Sequence, residues 1–295
     1  MLPISPLRYP GSKRRLAPYI ERVLSRNHLR PALYVEPFVG GGSVALHLLQ
    51  QGLVDRTILI DRDPWVASFW QTVFRDTDWL VDQIENAQIT LDTWRQLKRG
   101  QPTDRREQAW TCLFLNRTSF SGILEDGAGP LGGVEQQSQY PIDCRFPRTT
   151  LIARIHEIAR FRDNVAGIWC CSWKEGMARI RRGQVAGRFP RERLFFYFDP
   201  PFFEKADGLY RFCFADNDHR QLRDVLLELQ DSWILSYDSA DQVRALYGIG
   251  PGGTPNGNGT KNHQVEFHYS VSMLQEPKKG KEVILSNMEV LPDFG

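Results

Sequence analysis

An apolar hexapeptide, Leu33-Tyr34-Val35-Glu36-Pro37-Phe38, breaks into Gly40-Gly41-Gly42 and then runs into Ser43-Val44-Ala45-Leu46-His47-Leu48-Leu49. The first run reads as a short buried strand, the glycines as a tight turn and the last run as a helix. A second apolar run, Thr57 to Ile60, ends in Asp61. Strand, glycine turn, helix and strand in this order form a β-α-β unit, which requires a parallel pair of strands and places any ligand crevice at their C-terminal ends. The predicted fold class is therefore α/β.

Further apolar runs at Val165 to Cys171, Leu194 to Phe198, Ser232 to Ser236 and Glu282 to Leu285 read as additional strands, with helices such as Asp218 to Gln230 between them. The alternation is interrupted from about Ser68 to Arg148, which has helical patterning to about Leu115 and then a glycine-rich stretch from Gly122 to Gly133. This part is expected to form an inserted second lobe. The segment Gly250 to His263 lacks large apolar side chains and reads as a mobile surface loop or, alternatively, as a DNA-facing one.

With 295 residues and 41% hydrophobic content the chain can bury a substantial core. Its longest unbroken apolar run, Leu194 to Phe198, is far short of a membrane span, and no secretory signal is evident. The five cysteines form no C-x-x-C pair and lie away from the histidines, so reduced thiols and no metal site are expected. A net charge of +2 does not by itself indicate nucleic acid. Two basic stretches, Lys98, Arg99, Arg105 and Arg106, and Arg179, Arg181, Arg182, Arg188, Arg191 and Arg193, read equally as solvated faces or as phosphate contacts.

Two groups of residues suggest chemistry. A glycine turn after the first strand either closes a tight turn or lets backbone and helix N–H groups approach a ligand. Asp61 reads as an acceptor for the hydroxyls of a ribose or, with Asp63, as a solvated loop acid or helix cap, and Glu36 favours a cation such as an α-amino group or sulfonium. The second group, Asp199-Pro200-Pro201-Phe202, follows an apolar strand directly. Two prolines force the chain to turn at the sheet edge, so Asp199 and a proline carbonyl become fixed acceptors beside an aromatic ring. Two such acceptors can hold the two hydrogens of an exocyclic amine and aim its lone pair, while Phe202 stacks on the attached base.

Taken together, these motifs resemble the Dam-type (D12 class) DNA adenine N6-methyltransferases that use S-adenosylmethionine. Pro6 to Lys13 is similar to the family's opening segment, Glu36 to Ser43 to its cofactor loop, Asp61-Arg62-Asp63 to the region of its ribose-binding acid, and Asp199 to Phe202 to its catalytic tetrapeptide. Phe114-Leu115-Asn116-Arg117, Phe120, Gly122, Tyr210, Phe214, His219 and Glu282 to Asn287 continue the resemblance in the same order.

The resemblance implies a Rossmann-like methyltransferase sheet, residues 1–61 and 151–295, with a mainly helical target-recognition lobe inserted at about 62–150. It implies methyl transfer from S-adenosylmethionine to N6 of an adenine flipped out of duplex DNA, with S-adenosylhomocysteine as product. Asp199, Pro200, Pro201 and Phe202 would be catalytic. Tyr9, Lys13, Glu36, Phe38, Gly40, Asp61 and Asp199 would bind the cofactor. Asn116, Arg117, Ser119 and Ser121 would meet DNA on a loop entering a groove, reading base edges or serving as loop architecture and phosphate contacts. A monomeric prokaryotic or phage-encoded protein of the cytoplasm and nucleoid is the corresponding expectation, with room for a restriction enzyme as companion.

Two departures stand out. Glu125 occupies the position where readers of GATC carry an arginine, so a different target site is expected. Ser172-Trp173 replaces an Asp-Phe pair after the strand at Val165 to Cys171, so the cofactor adenine would be held differently. Methylation of cytosine N4 or of an RNA adenine, and a cofactor-retaining DNA-binding protein without catalysis, are the rival readings.

Overall fold

The computed structural model describes residues 5–9, 11, 13–189, 193–203, 208–238, 240–249, 261–269 and 278–292, with backbone alone for 261–269 and 278–281. Seven strands form one sheet: β1 (Leu33–Glu36), β2 (Arg56–Asp61), β3 (Val165–Cys170), β4 (Leu194–Phe198), β5 (Ser232–Asp238), β6 (Lys261–Tyr269) and β7 (Lys278–Ser286). Their order is β3-β2-β1-β4-β5-β7-β6. The first five pair in parallel, and β7 adds antiparallel to both β5 and β6. The expected α/β Rossmann-like sheet is thus present. Most of Gly250 to His263 lies outside the described residues, but Lys261, Asn262 and His263 belong to β6 and not to a loop.

Both faces of the sheet are covered, which is why its central strands read as nearly continuous apolar runs. Tyr34, Leu59, Phe195, Tyr197, Ile234 and Ile284 point to one face, while Val35, Ile58, Ile60, Phe196, Phe198, Leu235 and Leu285 point to the other. Helices Trp173–Val185 and Asp216–Glu228 pack on the second face through Met177, Ile180, Leu222 and Leu226.

The first face carries helices Ala17–Arg26, Ser43–Gln50 and Pro64–Arg75. The region expected as an insertion, 62–150, is mainly helical, but its helices Thr77–Asn86 and Arg105–Thr118, together with Arg148–Ala159 that follows, do not build a core apart from the sheet. Leu80, Ile84, Cys112, Phe114, Leu151 and Ile155 join the same apolar cluster as Tyr34 and Phe195. Among the described residues no helix is long and apolar enough to cross a membrane.

The chain moves outward from β1 to β2 and β3, then returns to the other side of β1 as β4. That reversal creates a switch point between β1 and β4, where the strand ends splay and a crevice opens. Glu36 ends β1, and Asp199 follows β4 immediately. Two residues 163 positions apart are brought to one cleft by topology alone.

The glycine turn is dictated by packing as well as by backbone conformation. Gly40 and Gly42 have φ values of 42° and 62°. A Cβ at Gly40 would stand 2.7 Å from the Tyr9 ring, one at Gly41 2.8 Å from Tyr9 Cβ, and one at Gly42 2.8 Å from the Trp70 ring. Trp70 is fully buried and donates from Nε1 to the Gly40 carbonyl at 2.9 Å. Gly42→Ala is expected to destabilise the protein by more than about 1 kcal/mol, because a left-handed backbone and a ring collision add. Denaturant melts of the two proteins test this, and equal midpoints would refute it.

Candidate active site

A cavity of about 720 Å³ lies over the switch point. It falls within the roughly 300–1,000 Å³ typical of small-molecule sites. Tyr9, Lys13, Glu36, Phe38, Gly40, Asp61 and Asp199 all line it, as does Pro201 of the tetrapeptide. The structure therefore brings every expected cofactor residue to one wall system. It also adds Trp173, Tyr210, Arg211 and Phe214.

The glycine loop is closed from above by the N-terminal segment. Ser5 Oγ donates to the Gly41 carbonyl at 2.6 Å, and the Tyr9 ring sits over Gly40 and Gly41. The close approach permitted by the glycines is thus taken first by an aromatic ring of the chain itself. The adjoining helix N-terminus is also engaged internally, since Ala45 N–H donates to Glu36 Oε2 at 3.2 Å. Glu36 receives a second hydrogen bond from the Tyr34 hydroxyl at 2.9 Å.

Asp61 ties two strand-end loops together. Its Oδ2 accepts from Gly40 N–H and its Oδ1 from Asp63 N–H, both at 2.9 Å. Asp63 caps helix Pro64–Arg75 by accepting from Trp65 N–H. Arg211 reaches Asp63 at 2.6 Å with its guanidinium 3.6 Å from the centre of the Trp65 ring. This fixes the 210–214 segment across the cavity. Burial pushes the Glu36 carboxyl up to about 8, against the opposing hydrogen bond from Tyr34, and pushes Asp61 up to about 7, aided by the Asp63 charge.

The tetrapeptide end is organised by a buried cation. Lys13, 6% exposed, lies 3.1 Å from Asp199 Oδ1 and 3.0 Å from Glu282 Oε1. Ser236 also donates to Asp199 Oδ1, at 2.9 Å, and is hydrogen-bonded to the Tyr197 hydroxyl at 2.7 Å. These contacts converge on Oδ1, so among the described residues Oδ2 remains free to accept. Burial alone would lower the Lys13 pKa, but Asp199 and Glu282 outweigh it and hold the ammonium well above its usual range. Burial raises the Asp199 pKa, with Lys13 opposing.

Phe202 is held by the same cation, since Lys13 Nζ lies 5.0 Å from its ring centre and Tyr210 meets it edge-on. The next residue is anchored too: Phe203 N–H donates to Asp238 Oδ1 at 2.9 Å. The arrangement can accept a polar hydrogen at Oδ2 beside an aromatic face, with the carboxylate fixed by two donors. Sequence reasoning did not assign roles to Ser236, Glu282 or Arg211. Ser236 and Glu282 were detectable as polar residues inside or beside apolar strand runs, whereas nothing in the sequence pairs Arg211 with Asp63.

The four residues expected on a groove-facing loop are placed differently. Asn116 and Arg117 lie in helix Arg105–Thr118, and Asn116 and Ser119 are fully buried. Asn116 accepts from Arg8 N–H at 2.7 Å and donates to the Arg8 and Gly122 carbonyls, so its amide is occupied in holding the N-terminal segment. Ser119 Oγ accepts from Trp94 Nε1 at 3.0 Å. Ser121 has a left-handed backbone, φ 55°.

The two basic stretches are partly neutralised. Arg105 and Arg106 both pair with Asp76, Lys98 donates to the Glu125 carbonyl, and Arg193 meets Asp55. Arg179 lies over the Trp169 ring. At the departure from the family pattern, Ser172 and Glu175 form a reciprocal cap on helix Trp173–Val185, and Trp173 lines the cavity.

Glu36 and Asp61 retain protons in the folded protein at pH values where an unfolded chain has lost them. The stability contributed by that protonation is complete below the ordinary carboxylate range and is lost as pH rises through about 7 for Asp61 and about 8 for Glu36. Glu36→Gln keeps an acceptor for Tyr34 and Ala45 but cannot ionise. Its Tm should therefore fall less than that of the parent between pH 5 and pH 9, taken as a range of roughly 2 units either side of neutrality. Parallel melting curves across that range would contradict the assignment.

Residues 9–160 match the D12 class N6 adenine-specific DNA methyltransferase family. The match includes the glycine loop, Asp61 and the whole helical region 62–150, and it ends before the tetrapeptide at Asp199. The chain is also similar to the Type II methyltransferase M.MjaIII of Methanocaldococcus jannaschii, with 21% identity over 239 residues, 74% of this chain and 76% of that protein. A family match over more than half of the chain, on a Rossmann-like sheet with the matched loops at its switch point, identifies it as a member of the D12 class of N6 adenine-specific DNA methyltransferases.

Proposed function

We propose that the cavity binds S-adenosylmethionine and that Asp199 to Phe202 present the N6 amine of an adenine flipped from duplex DNA. The observation that carries this reading is the placement of Asp199 at the end of β4, with Oδ1 held by Lys13 and Ser236 and Oδ2 free among the described residues, on the wall of a cavity also lined by Glu36, Gly40 and Asp61.

The residues present fit that cofactor. Glu36 is a buried carboxyl whose ionisation a neighbouring cation would favour, which suits an amino acid or sulfonium head. Asp61 has lone-pair capacity left after its backbone contacts from Gly40, Asp63 and Arg62, which suits ribose hydroxyls. Tyr9, Phe38 and Trp173 supply apolar and aromatic wall. When bound, S-adenosylmethionine supplies an electrophilic methyl group.

The protein's own part is positioning. Asp199 Oδ2 and the Pro200 carbonyl accept the two hydrogens of the amine and draw them from the ring plane, which restores the nitrogen lone pair. Phe202 offers its face to the base. Lys13 and Ser236 keep the carboxylate from rotating as the amine enters, and Oδ2 is placed to take the proton that the nitrogen must shed. Extracting adenine from the stack costs a few kcal/mol, which basic surface recovers from phosphates.

Residues 62–150 carry target recognition in this reading. Asn116 and Ser119 act through architecture, so sequence reading falls to more exposed parts of the lobe. Glu125 accepts from Gly127 N–H within a turn, which fits a target other than GATC.

Asp199→Ala should lower methyl transfer by at least about 10²-fold while the fold persists. Nucleoside mass spectrometry for N6-methyladenine in DNA from methylation-deficient cells expressing each form measures this, and undiminished methylation would refute the role. The raised Glu36 pKa gives a second expectation. A bound cation favours the ionised carboxylate, so S-adenosylmethionine affinity should rise with pH up to about 8 and then level, with the rise absent in Glu36→Gln. Calorimetric titrations over that range decide it, and a pH-independent affinity in the parent would remove Glu36 from the cofactor site.

A further inference from the structure

Arg8, Arg145 and Arg154, from separate parts of the chain, lie close enough to Arg117 for their charges to act on it, and Arg154 also feels Arg14. Asn116 brackets the Arg8 backbone with one accepted and one donated hydrogen bond, and Arg117 follows it directly. Arg154 on helix Arg148–Ala159 donates to the Ser5 carbonyl at 3.3 Å. Arg145 is exposed just before that helix.

This cluster differs from the basic stretches noted in the sequence. Arg117 is only 5% exposed, and among the described residues its Nε has no hydrogen-bond partner. Arg8 Nη1 is likewise buried and unpartnered. The charges acting on Arg117 are three other guanidiniums, those of Arg8, Arg154 and Arg145, and together with burial they depress its pKa. An unpaired guanidinium buried beside like charges opposes folding, so the arrangement is explained by a partner outside the chain.

The position of the cluster identifies the partner's chemistry. Arg8 adjoins Tyr9, which lines the cavity. Gly122 packs so closely that a Cβ there would stand 2.0 Å from the Arg8 carbonyl oxygen. The neighbouring Ser121 is strained, and its buried hydroxyl also lacks a partner among the described residues. Several guanidiniums converging on one place call for a full negative charge with several acceptor oxygens. A base edge is neutral and is satisfied by a single arginine.

We propose that Arg8, Arg117, Arg145 and Arg154 bind a backbone phosphate of DNA, on the strand that carries the base to be methylated. The inference rests on the reading of this protein as acting on duplex DNA. Gripping a phosphate beside the target holds the strand in register while the base swings out.

Arg117→Gln, Arg8→Gln and Arg117→Lys test it through two measurements. One is the Tm of the DNA-free protein, and the other is duplex affinity over a salt series for several sequences. Both glutamine variants should raise the Tm, by about 2 °C or more, because an unpaired buried charge is removed. The slope of log affinity against log salt should shrink by about 1, with affinity lost equally on every sequence. Arg117→Lys should retain most of the parental slope.

A lowered Tm with an unchanged slope would make the arginines structural and overturn the proposal. Loss confined to one target sequence would make Arg117 a base reader and overturn it equally. If the parent protein binds no duplex DNA even at low salt, the DNA reading itself fails. Normal DNA binding with unaltered slopes in the variants defeats only the phosphate site.

Discussion

The buried ammonium of Lys13 holds the centre of this structure together. It lies between Asp199 at the end of β4 and Glu282 on β7, and its cation faces the Phe202 ring. Removing three charged groups from water is costly, and mutual attraction repays it only when the geometry is close. Here two contacts near 3 Å meet that condition and join the N-terminal segment, the parallel half of the sheet and its antiparallel addition at one point. The antiparallel pairing of β7 with β5 sets Glu282 opposite Asp238, which in turn anchors Phe203. The tetrapeptide is therefore positioned by parts of the chain that are remote from it in sequence.

The cavity's other wall follows a related logic. Tyr9 lies over Gly40 and Gly41, Trp70 lies under Gly42, and Glu36 occupies the N-terminus of the helix that follows. The turn is thus made rigid by internal partners. Asp61 and Asp63 extend that rigidity to the next loop, and Arg211 carries it across to the 210–214 segment. A site built in this way has little freedom to rearrange its acceptors, which suits a reaction catalysed by orientation.

Much of this is legible in the sequence. Continuous apolar runs bounded by polar or turn residues identified β1 to β5 and β7 to within a few residues, and the glycine turn and the Asp-Pro-Pro-Phe turn marked the cleft. β6 was obscured because Lys261 to His263 directly follow a glycine- and asparagine-rich stretch that masks the strand's start. The helical insertion was visible as a break in alternation. Its sharing of the sheet's apolar cluster was not, because amphipathic patterning shows that a face is buried without showing what covers it. Charge was the least legible property. The conspicuous runs at 98–106 and 179–193 contain arginines paired with Asp76 and Asp55, whereas Arg117, buried and without an ion pair among the described residues, feels the charges of single arginines from positions 8, 145 and 154.

The sequence by itself determined the α/β class, the loops that meet at the switch point and the family resemblance, because these depend on local patterns: apolar runs, glycine conformation, proline turns and short motifs. The tertiary structure decided which groups are partners. Asn116 became a clasp for Arg8, Glu282 a counterion for Lys13, and Arg117 a buried charge without a counterion among the described residues. Such outcomes depend on pairwise distances between side chains far apart in the chain. Coulombic and hydrogen-bond energies are set by those distances and by burial, and neither is encoded in any local stretch of sequence.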